Sequence, residues 1–272
     1  MNMIKIAFIG GGNMSRCIFD GIVKKRGQND EITVAGPHVE KLEHFKAAGA
    51  HVTSDNLEAL GRAEVVFLGV KPQILPEVLE QIAKSGQDLS SKLFISMAAG
   101  WRLQAFYSRL GQCRLIRIMP NTPSQLGMGV TAMCTGESVT AADKELCLAL
   151  LEGMGRTVQT DEEGINTLSV LAGSAPAFIY RFMEAMVDQM VKRGFDADLS
   201  RTIATEVMRG TASMVEANPD RQIGQLREAV TSRGGTTFQG LGVMTEYRFE
   251  EMMHEVVEAC LRRTREFEDI YK

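Results

Sequence analysis

Short apolar runs and longer amphipathic stretches alternate along the first part of the chain. An apolar run at residues 4–9 leads directly into a glycine turn, after which helical spacing begins near Asn13. Strand, glycine turn and helix in this order are typical of a βαβ unit that binds a dinucleotide. Gly10 allows the tight turn, and Gly12 lets a pyrophosphate approach the N–H groups of the helix N-terminus. Ser15 occupies the third small position, where a serine still allows helix and strand to pack closely.

The same alternation continues to about residue 160. We predict strands at residues 4–9, 31–35, 51–53, 64–70, 92–97, 114–119, 129–134 and 156–160, and helices at residues 17–25, 39–48, 54–60, 71–84, 103–110 and 141–154. Pro72 would lie in the first turn of its helix, a position that suits proline. Strands that alternate with helices predict a parallel sheet covered on both faces.

The pattern changes after residue 160, where strand signals become scarce. Long helical periodicity covers residues 177–192, 199–217 and 249–271. We therefore predict an α/β doubly wound sheet over residues 1–160, followed by an all-α domain over residues 161–272. Methionines are concentrated in this helical half. Long amphipathic helices without a sheet to cover them favour a homo-oligomer, formed through the C-terminal helices, over a monomer.

Composition narrows the class of protein. The net charge of −4 argues against nucleic-acid binding, and no apolar run reaches the roughly 18 residues that a membrane span needs. The cysteines form no CxxC pair and the histidines have no metal-ligand spacing, so we predict no metal site. Widely spaced cysteines fit a reducing compartment, and no signal peptide precedes the first strand. We therefore expect a cytoplasmic protein.

Further turns follow the predicted strands, and ligands of doubly wound sheets bind at the carboxyl ends of strands. These turns are Val70-Lys71-Pro72-Gln73, Ala98-Ala99-Gly100 and Met119-Pro120-Asn121-Thr122-Pro123. The alanines and the glycine allow a flat ring to lie close to the backbone. Lys71 could reach a phosphate or a ribose, or could be an ordinary solvated lysine.

The end of the second strand bears on the choice of cofactor. NAD sites place an acidic residue there, whereas this chain has Ala35-Gly36-Pro37-His38. Without a carboxylate to repel a 2′-phosphate, the sequence mildly favours NADPH and leaves NADH open. His38 or a helix N-terminus could meet that phosphate, since no arginine stands there.

The helical half contains a second group of small polar residues just before a helix. Its members are Ser232, Gly234, Gly235, Thr236 and Thr237. Exposed backbone N–H groups, hydroxyls and a helix N-terminus favour binding of a carboxylate or a phosphate. The alternative is an ordinary glycine loop that caps a helix. Residues 173–177 form another small-residue turn, which could be part of a site or a packing turn.

The sequence shows no Ser–His–Asp triad, no carboxylate pair and no evident catalytic cysteine. Hydride transfer to an imine needs neither a strong acid nor a strong base, because a protonated C=N bond is already electrophilic. The protein then mainly positions the reactants.

Taken together, these motifs resemble those of the pyrroline-5-carboxylate reductase family over nearly the whole chain. The matching motifs are FIGGGNM, VKPQ, ISMAAG, RIMPNTP, GSAPA and SRGGTT. The resemblance implies NAD(P)H-dependent reduction of 1-pyrroline-5-carboxylate to proline, the last step of proline synthesis. It also implies a Rossmann-type domain followed by a helical domain that binds substrate and interlocks two subunits, as a homodimer or a higher homo-oligomer.

By motif match, the resemblance assigns roles to individual residues. The cofactor would be bound by Gly10, Gly12, Asn13, Met14, Asn56, Val70, Lys71, Pro72, Ala98, Ala99 and Gly100. The substrate would be held by Ser232, Gly234, Gly235, Thr236 and Thr237. Thr237 would be catalytic, through a hydrogen bond to the ring nitrogen. Asp220 corresponds to an acidic position near the substrate in some members.

Some positions depart from the family pattern. Gly36-Pro37 replaces the frequent Asn-Arg, Arg233 replaces a proline, and Ala175 replaces a glycine. Two other readings stay open. One is a β-hydroxyacid-type dehydrogenase or a different imine reductase, although the former needs a lysine on the first long helix of the second domain and none precedes Lys192. The other is a nucleotide-sensing protein that has lost turnover.

Overall fold

The computed structural model describes residues 3–272. The strands are β1 (Lys5–Ile9), β2 (Glu31–Ala35), β3 (His51–Thr53), β4 (Val65–Leu68), β5 (Leu93–Ser96), β6 (Arg114–Met119), β7 (Gly129–Thr135) and β8 (Gly155–Gln159). The helices are α1 (Asn13–Arg26), α2 (Glu43–Ala47), α3 (Asn56–Arg62), α4 (Leu75–Lys84), α5 (Leu103–Leu110), α6 (Ala141–Leu151), α7 (Glu162–Leu168), α8 (Ala175–Val191), α9 (Ala197–Glu216), α10 (Ile223–Ala229), α11 (Thr236–Glu246) and α12 (Phe249–Ile270). Short 3-10 segments lie at Val39–Leu42, Thr122–Leu126 and Glu152–Met154, and a π-helical segment lies at Ser169–Ser174.

All strands belong to one 8-stranded sheet in the order β3-β2-β1-β4-β5-β6-β7-β8. The chain runs outward from β1 to β3, then returns to β4 on the other side of β1, so the winding direction switches between β1 and β4. This arrangement confirms the predicted doubly wound sheet. The prediction that every neighbouring pair is parallel was wrong at β6 and β7, which are antiparallel. Only a short 3-10 segment joins them, and a parallel return would need a longer crossover.

Apolar side chains fill both faces of the sheet. On one face, Phe8 and Phe67 stack with ring centroids 4.7 Å apart, and Phe19 of α1 packs edge-on against Phe8. The other face is filled by residues of β4, β5, α4 and α5 around Trp101. Burial on both faces explains why β4 is an unbroken apolar run and β5 is apolar except for Ser96, rather than alternating.

The chain divides into two compact units. The first extends to Ser174 and also includes Cys260–Lys272, and the second is Ala175–Ala259. The switch to helices after residue 160 is confirmed, but α7 packs with the sheet. Its Glu162 carboxylate accepts hydrogen bonds from the buried Arg117 side chain on β6 and from the Leu103 N–H at the start of α5. The division at residue 160 into two functional domains stays a prediction.

The second unit buries very little of its own apolar surface. Of residues Ala175–Ala259, only Ser200 and Ala204 are buried. Large apolar side chains are exposed, among them Phe182, Phe238 and Val243. An unpartnered apolar surface on this scale is typical of a subunit interface.

The predicted start of the helix at Lys71 was wrong. Residues 72–74 form a turn, closed by a hydrogen bond from the Ile74 N–H to the Lys71 carbonyl, and α4 begins at Leu75. Pro76, rather than Pro72, lies in its first turn. Both Pro72 and Pro76 could occupy the first turn of a helix, and Pro76, which follows the buried Leu75, does so.

The predicted turn at residues 173–177 was also wrong. This segment continues as a π-helix at Ser169–Ser174 and runs directly into α8. Pro176 has no N–H to donate to the Ala172 carbonyl in an α-helical register, and its ring would clash with that carbonyl. The Asn121 side chain instead donates to the Ala172 carbonyl over 3.1 Å.

A buried ion pair anchors the start of β1 to the end of α1. The side chain of Asp30 is fully buried and accepts hydrogen bonds from the Ile4 N–H at 3.0 Å and from the Arg26 guanidinium at 2.5 and 2.8 Å. Burial alone would raise the pKa of the Asp30 carboxyl, but the hydrogen bonds from Arg26 and Ile4 outweigh it and lower that pKa. The carboxylate therefore stabilises the fold as an anion.

We expect Asp30→Asn to lower the free energy of unfolding at pH 7 by about 3 kcal/mol, because it removes a buried negative charge that pairs with the Arg26 guanidinium. The deficit should shrink as the pH falls through the depressed pKa of Asp30, since the wild-type carboxyl is then protonated too. Urea unfolding at several pH values measures this. Glu80→Gln, which breaks an exposed pair with Lys84, is the control and should have a much smaller effect. Equal stability of Asp30→Asn and wild type would contradict the prediction.

Candidate functional site

Gly10 lies where the ends of β1, β2 and β4 meet. Its φ is +102°, and a Cβ atom there would lie 2.7 Å from both the Gly69 carbonyl carbon and the Val70 nitrogen. The Gly10 N–H donates to the Ala35 carbonyl at the end of β2, over 2.9 Å. Both the backbone conformation and the space available therefore require glycine at this point.

The N-terminus of α1 is open to a ligand. Gly12 is the N-cap residue, and within residues 3–272 no side chain caps the helix. The first turn, which begins with Asn13 and Met14, carries no acidic residue. A Cβ atom at Gly12 would find nothing closer than the Gly69 carbonyl oxygen, at 3.9 Å. Free N–H groups, a positive helix end and open space fit a pyrophosphate.

A cavity of about 560 Å³ opens at the same edge of the sheet. Its lining includes three of the predicted cofactor residues, Gly10, Asn56 and Val70, together with Gly36 at the end of β2. Asn56 is the first residue of α3, and its side-chain amide donates to Gln81 on α4 over 3.1 Å. The structure thus brings together, around one cavity, residues that lie far apart in the sequence.

The turns that follow β4 and β5 are joined by a tryptophan. Lys71 is exposed, while the Pro72 carbonyl accepts a hydrogen bond of 3.2 Å from the Trp101 indole N–H. Ala98 and Gly100 are buried and Ala99 is exposed. Trp101 was missed in the sequence analysis, although it is the only tryptophan of the chain and directly follows the Ala98-Ala99-Gly100 turn.

In the second unit, residues Ser232 to Gly235 form a tight turn in front of α11. The Gly235 N–H donates to the Ser232 carbonyl over 2.9 Å, and Gly234 has a φ of +75°. A positive φ at the third residue is the signature of a type II turn, in which proline is common at the second residue. Arg233 occupies that second position here, so the turn keeps its form but gains a positive charge.

The N-terminus of α11 resembles that of α1 in its chemistry. Gly235 is the N-cap residue without a side-chain cap among the described residues, and Thr236 and Thr237 open the helix with no acidic residue in the first turn. Both threonines are exposed, as are Ser232 and Gly234. Arg233 makes no ion pair with any residue in the range 3–272. The predicted substrate residues therefore lie together in one local turn, and their role in binding stays a prediction. Asp220 lies in the turn between α9 and α10.

Other chemistries find little support in the described part of the chain. Burial raises the pKa of the Cys113 and Cys134 thiols to about 11 and that of Cys147 to about 12, so these cysteines are poor nucleophiles at neutral pH. Residues 3–272 contain no group of three or more histidine, cysteine or acidic side chains placed to hold a metal ion. None of the helices in this range combines the length and the apolar character that a membrane crossing requires.

The sheet topology, the glycine turn at its switch point and the open helix N-terminus define the class of doubly wound dinucleotide-binding proteins. Two family models match the chain. One, described as NADP oxidoreductase, coenzyme F420-dependent, covers residues 5–100, and the other, described as pyrroline-5-carboxylate reductase dimerisation, covers residues 162–267. The pyrroline-5-carboxylate reductase of Vibrio alginolyticus is 38% identical over 98% of each chain. The chain belongs to the pyrroline-5-carboxylate reductase family.

Solved structures agree with this assignment. A pyrroline-5-carboxylate reductase from Coxiella burnetii has a TM-score of 0.89 and 32% identity, covering 98% of this chain and 99% of that one. The Plasmodium falciparum enzyme, solved with NADP bound, has a TM-score of 0.88 and 26% identity, with coverage of 98% and 99%. The family predicted from the motifs is confirmed.

We expect Gly10→Ala to weaken binding of NADPH and NADH by at least about tenfold, because the added methyl group would meet the backbone of Gly69 and Val70. Calorimetric titration of the dinucleotide measures this. The matched control is Gly111→Ala, which has a similarly positive φ of +71° but nothing within 4 Å of the new Cβ. Similar affinities in Gly10→Ala and Gly111→Ala would contradict the expectation.

Proposed function

We propose that the protein reduces 1-pyrroline-5-carboxylate to proline, with NADPH as the hydride donor. The observation that carries the proposal is the uncapped anion-binding turn at Ser232–Gly235, in a chain that belongs to this family and has a dinucleotide site in its other unit. Each of the two reactants carries an anionic group, and each unit offers one open helix N-terminus for it.

The residues of the first unit suit the cofactor. The N–H groups at the start of α1, beyond Gly12, would hold the pyrophosphate, and the cavity beside Gly36 and Asn56 would take the adenosine half. The turns at Val70–Pro72 and Ala98–Gly100 would then face the nicotinamide half, since they belong to the β4–β6 half of the fold. When bound, the reduced nicotinamide supplies the hydride.

The residues of α11 suit the substrate. Its carboxylate would accept hydrogen bonds from the free N–H groups at the helix N-terminus and from the Ser232 hydroxyl, with Arg233 adding positive charge. The Thr237 hydroxyl would hydrogen-bond the ring nitrogen and hold the C=N bond in one orientation. Positioning of this kind is the main contribution a protein makes to hydride transfer onto an already electrophilic imine.

The assembly belongs to the same proposal. Residues 161–272 would bind the substrate and form the subunit contacts, so that the protein is a homodimer or a higher homo-oligomer. The exposed apolar side chains of α8, α9, α11 and α12 and the family match to a dimerisation region support it. The cysteines are odd in number and widely spaced, which fits a reducing compartment and supports a cytoplasmic location.

We expect the purified protein to oxidise NADPH when 1-pyrroline-5-carboxylate is added. Thr237→Val, which removes the hydroxyl but keeps the shape, should lower kcat by about tenfold or more and leave NADPH affinity unchanged, because α11 lies outside the predicted cofactor site. Thr237→Ser keeps the hydroxyl and is the control. Cofactor binding without any turnover in the wild type would favour the nucleotide-sensing alternative, and unchanged kcat in Thr237→Val would remove Thr237 from the mechanism.

The preference for NADPH can be tested at the end of β2. Gly36→Asp places a carboxylate where a 2′-phosphate would bind, and the resulting repulsion should raise KM for NADPH about tenfold relative to KM for NADH. The change is sterically mild, because a Cβ atom at Gly36 lies 3.5 Å from the nearest Leu42 carbon. Gly36→Ala is the control for shape alone. An unchanged ratio of the two KM values would contradict this placement of the 2′-phosphate.

A further inference from the structure

The last turns of α12 pack directly on one of the turns assigned to the cofactor. Gly100 has a φ of +76°, and a Cβ atom there would lie 2.6 Å from the Cβ of Phe267. The backbone of the Ala98–Trp101 turn is therefore pressed against α12 so closely that no side chain fits between them. Both belong to the first compact unit, although more than half of the sequence separates them.

Trp101 extends this contact to the neighbouring turn. Its ring is fully buried and stacks on Tyr271, with centroids 5.3 Å apart and planes inclined by 20°. The indole N–H of Trp101 donates to the Pro72 carbonyl, at 3.2 Å. One aromatic side chain thus connects Tyr271 with both turns, Ala98–Gly100 and Val70–Pro72.

Glu268 fixes the same part of α12 by charge and hydrogen bonds. Its side chain is only 7% exposed and accepts hydrogen bonds of 2.9 Å from the Asn166 amide on α7 and from the Arg102 guanidinium. Arg102 directly follows Trp101 and also pairs with Glu163. A buried carboxylate with two donors holds one geometry, and displacement would leave its charge unpaired.

We propose that Glu268 and Tyr271 are positioning residues for the cofactor, which act by holding the Ala98–Trp101 and Val70–Pro72 turns in place for the nicotinamide half. The inference rests on the proposed function in so far as it takes these turns to border the nicotinamide. Of these turns only Val70 also lines the cavity beside Gly36 and Asn56, so the adenosine half should depend much less on this contact.

The test uses ligands that separate the two halves of the cofactor. Tyr271→Ala removes the stacked ring and should raise the calorimetric dissociation constant of NADPH about tenfold or more. The same variant should leave the affinity for 2′,5′-ADP, which is only the adenosine half, within about twofold of wild type. Tyr271→Phe keeps the ring and should resemble the wild type for both ligands.

Trp101 reports the contact without any ligand, since it is the only tryptophan. In Tyr271→Ala its emission should shift to longer wavelength and become more accessible to acrylamide, whereas Ile22→Val, a small core change on the other face of the sheet, should alter neither reading. Glu268→Gln keeps the acceptor for Asn166 but loses the charge, and should weaken NADPH about threefold with 2′,5′-ADP unchanged. If Tyr271→Ala does not fold, the affinities of Glu268→Gln for NADPH and 2′,5′-ADP test the inference instead.

Several outcomes would overturn the inference. Equal weakening of NADPH and 2′,5′-ADP would show a general loss of structure, and unchanged NADPH affinity despite altered Trp101 emission would show that the contact does not position the turns. If the wild type turns over 1-pyrroline-5-carboxylate while Tyr271→Ala binds NADPH normally, the inference fails and the proposed function stands. If the wild type binds neither NADPH nor NADH, the inference and the proposed function both fail.

Discussion

The dinucleotide site depends on one steric constraint, the close approach of the β1 and β4 turns at the switch point of the sheet. Gly10 approaches the peptide between Gly69 and Val70 so closely that there is no space for a side chain at Gly10, and Gly69 is equally confined. A Cβ atom at Gly69 would lie 2.1 Å from the Ser15 hydroxyl, and Ser15 is fully buried. Because no side chains separate the ends of β1 and β4 from the start of α1, the α1 N-terminus lies at the edge of the sheet where the cavity opens.

One helix N-terminus in each unit has the same local arrangement. At α1 and at α11 a glycine occupies the N-cap position and no acidic residue follows in the first turn. Three other helices have an aspartate cap, namely Asp55 for α3, Asp161 for α7 and Asp196 for α9. A side-chain cap satisfies the free N–H groups internally, whereas a glycine leaves them available to a ligand. Helix α5 also lacks a side-chain cap, but its Leu103 N–H donates to the Glu162 carboxylate, whereas the N-termini of α1 and α11 combine a glycine N-cap with a first turn free of acidic residues.

A largely buried polar network connects the elements of the first unit. Glu162 connects β6 with the start of α5, Glu268 connects α12 with α7, and Asn121 connects β7 with the π-helical segment through hydrogen bonds to the Val130 N–H and the Ala172 carbonyl. Each member satisfies a backbone group or a charge that would otherwise be costly to bury. Side chains that read in the sequence as ordinary polar residues thus determine where the loops of the first unit lie.

Much of the fold and the whole set of site motifs could be read from local pattern. The strands of the first unit lie close to their predicted positions, because buried apolar runs and glycine turns are short-range signals. The errors have physical causes that lie outside the local sequence. Helix α4 starts late because Pro76 rather than Pro72 lies in its first turn, and the local pattern does not distinguish the two prolines. Residues 173–177 are helical although Pro176 cannot donate to the Ala172 carbonyl, which instead accepts a hydrogen bond from Asn121, far away in the chain.

Residues that are neighbours along the chain carry the signals for the doubly wound sheet, the helical second half, the family and the two glycine turns, so these could be predicted without coordinates. Only the tertiary structure revealed that β7 runs antiparallel, that α7 and the last turns of α12 pack with the sheet, and that Trp101 joins two site turns to Tyr271. These features depend on long-range packing and on buried hydrogen bonds between distant residues. Such partners leave no periodic trace in a single sequence.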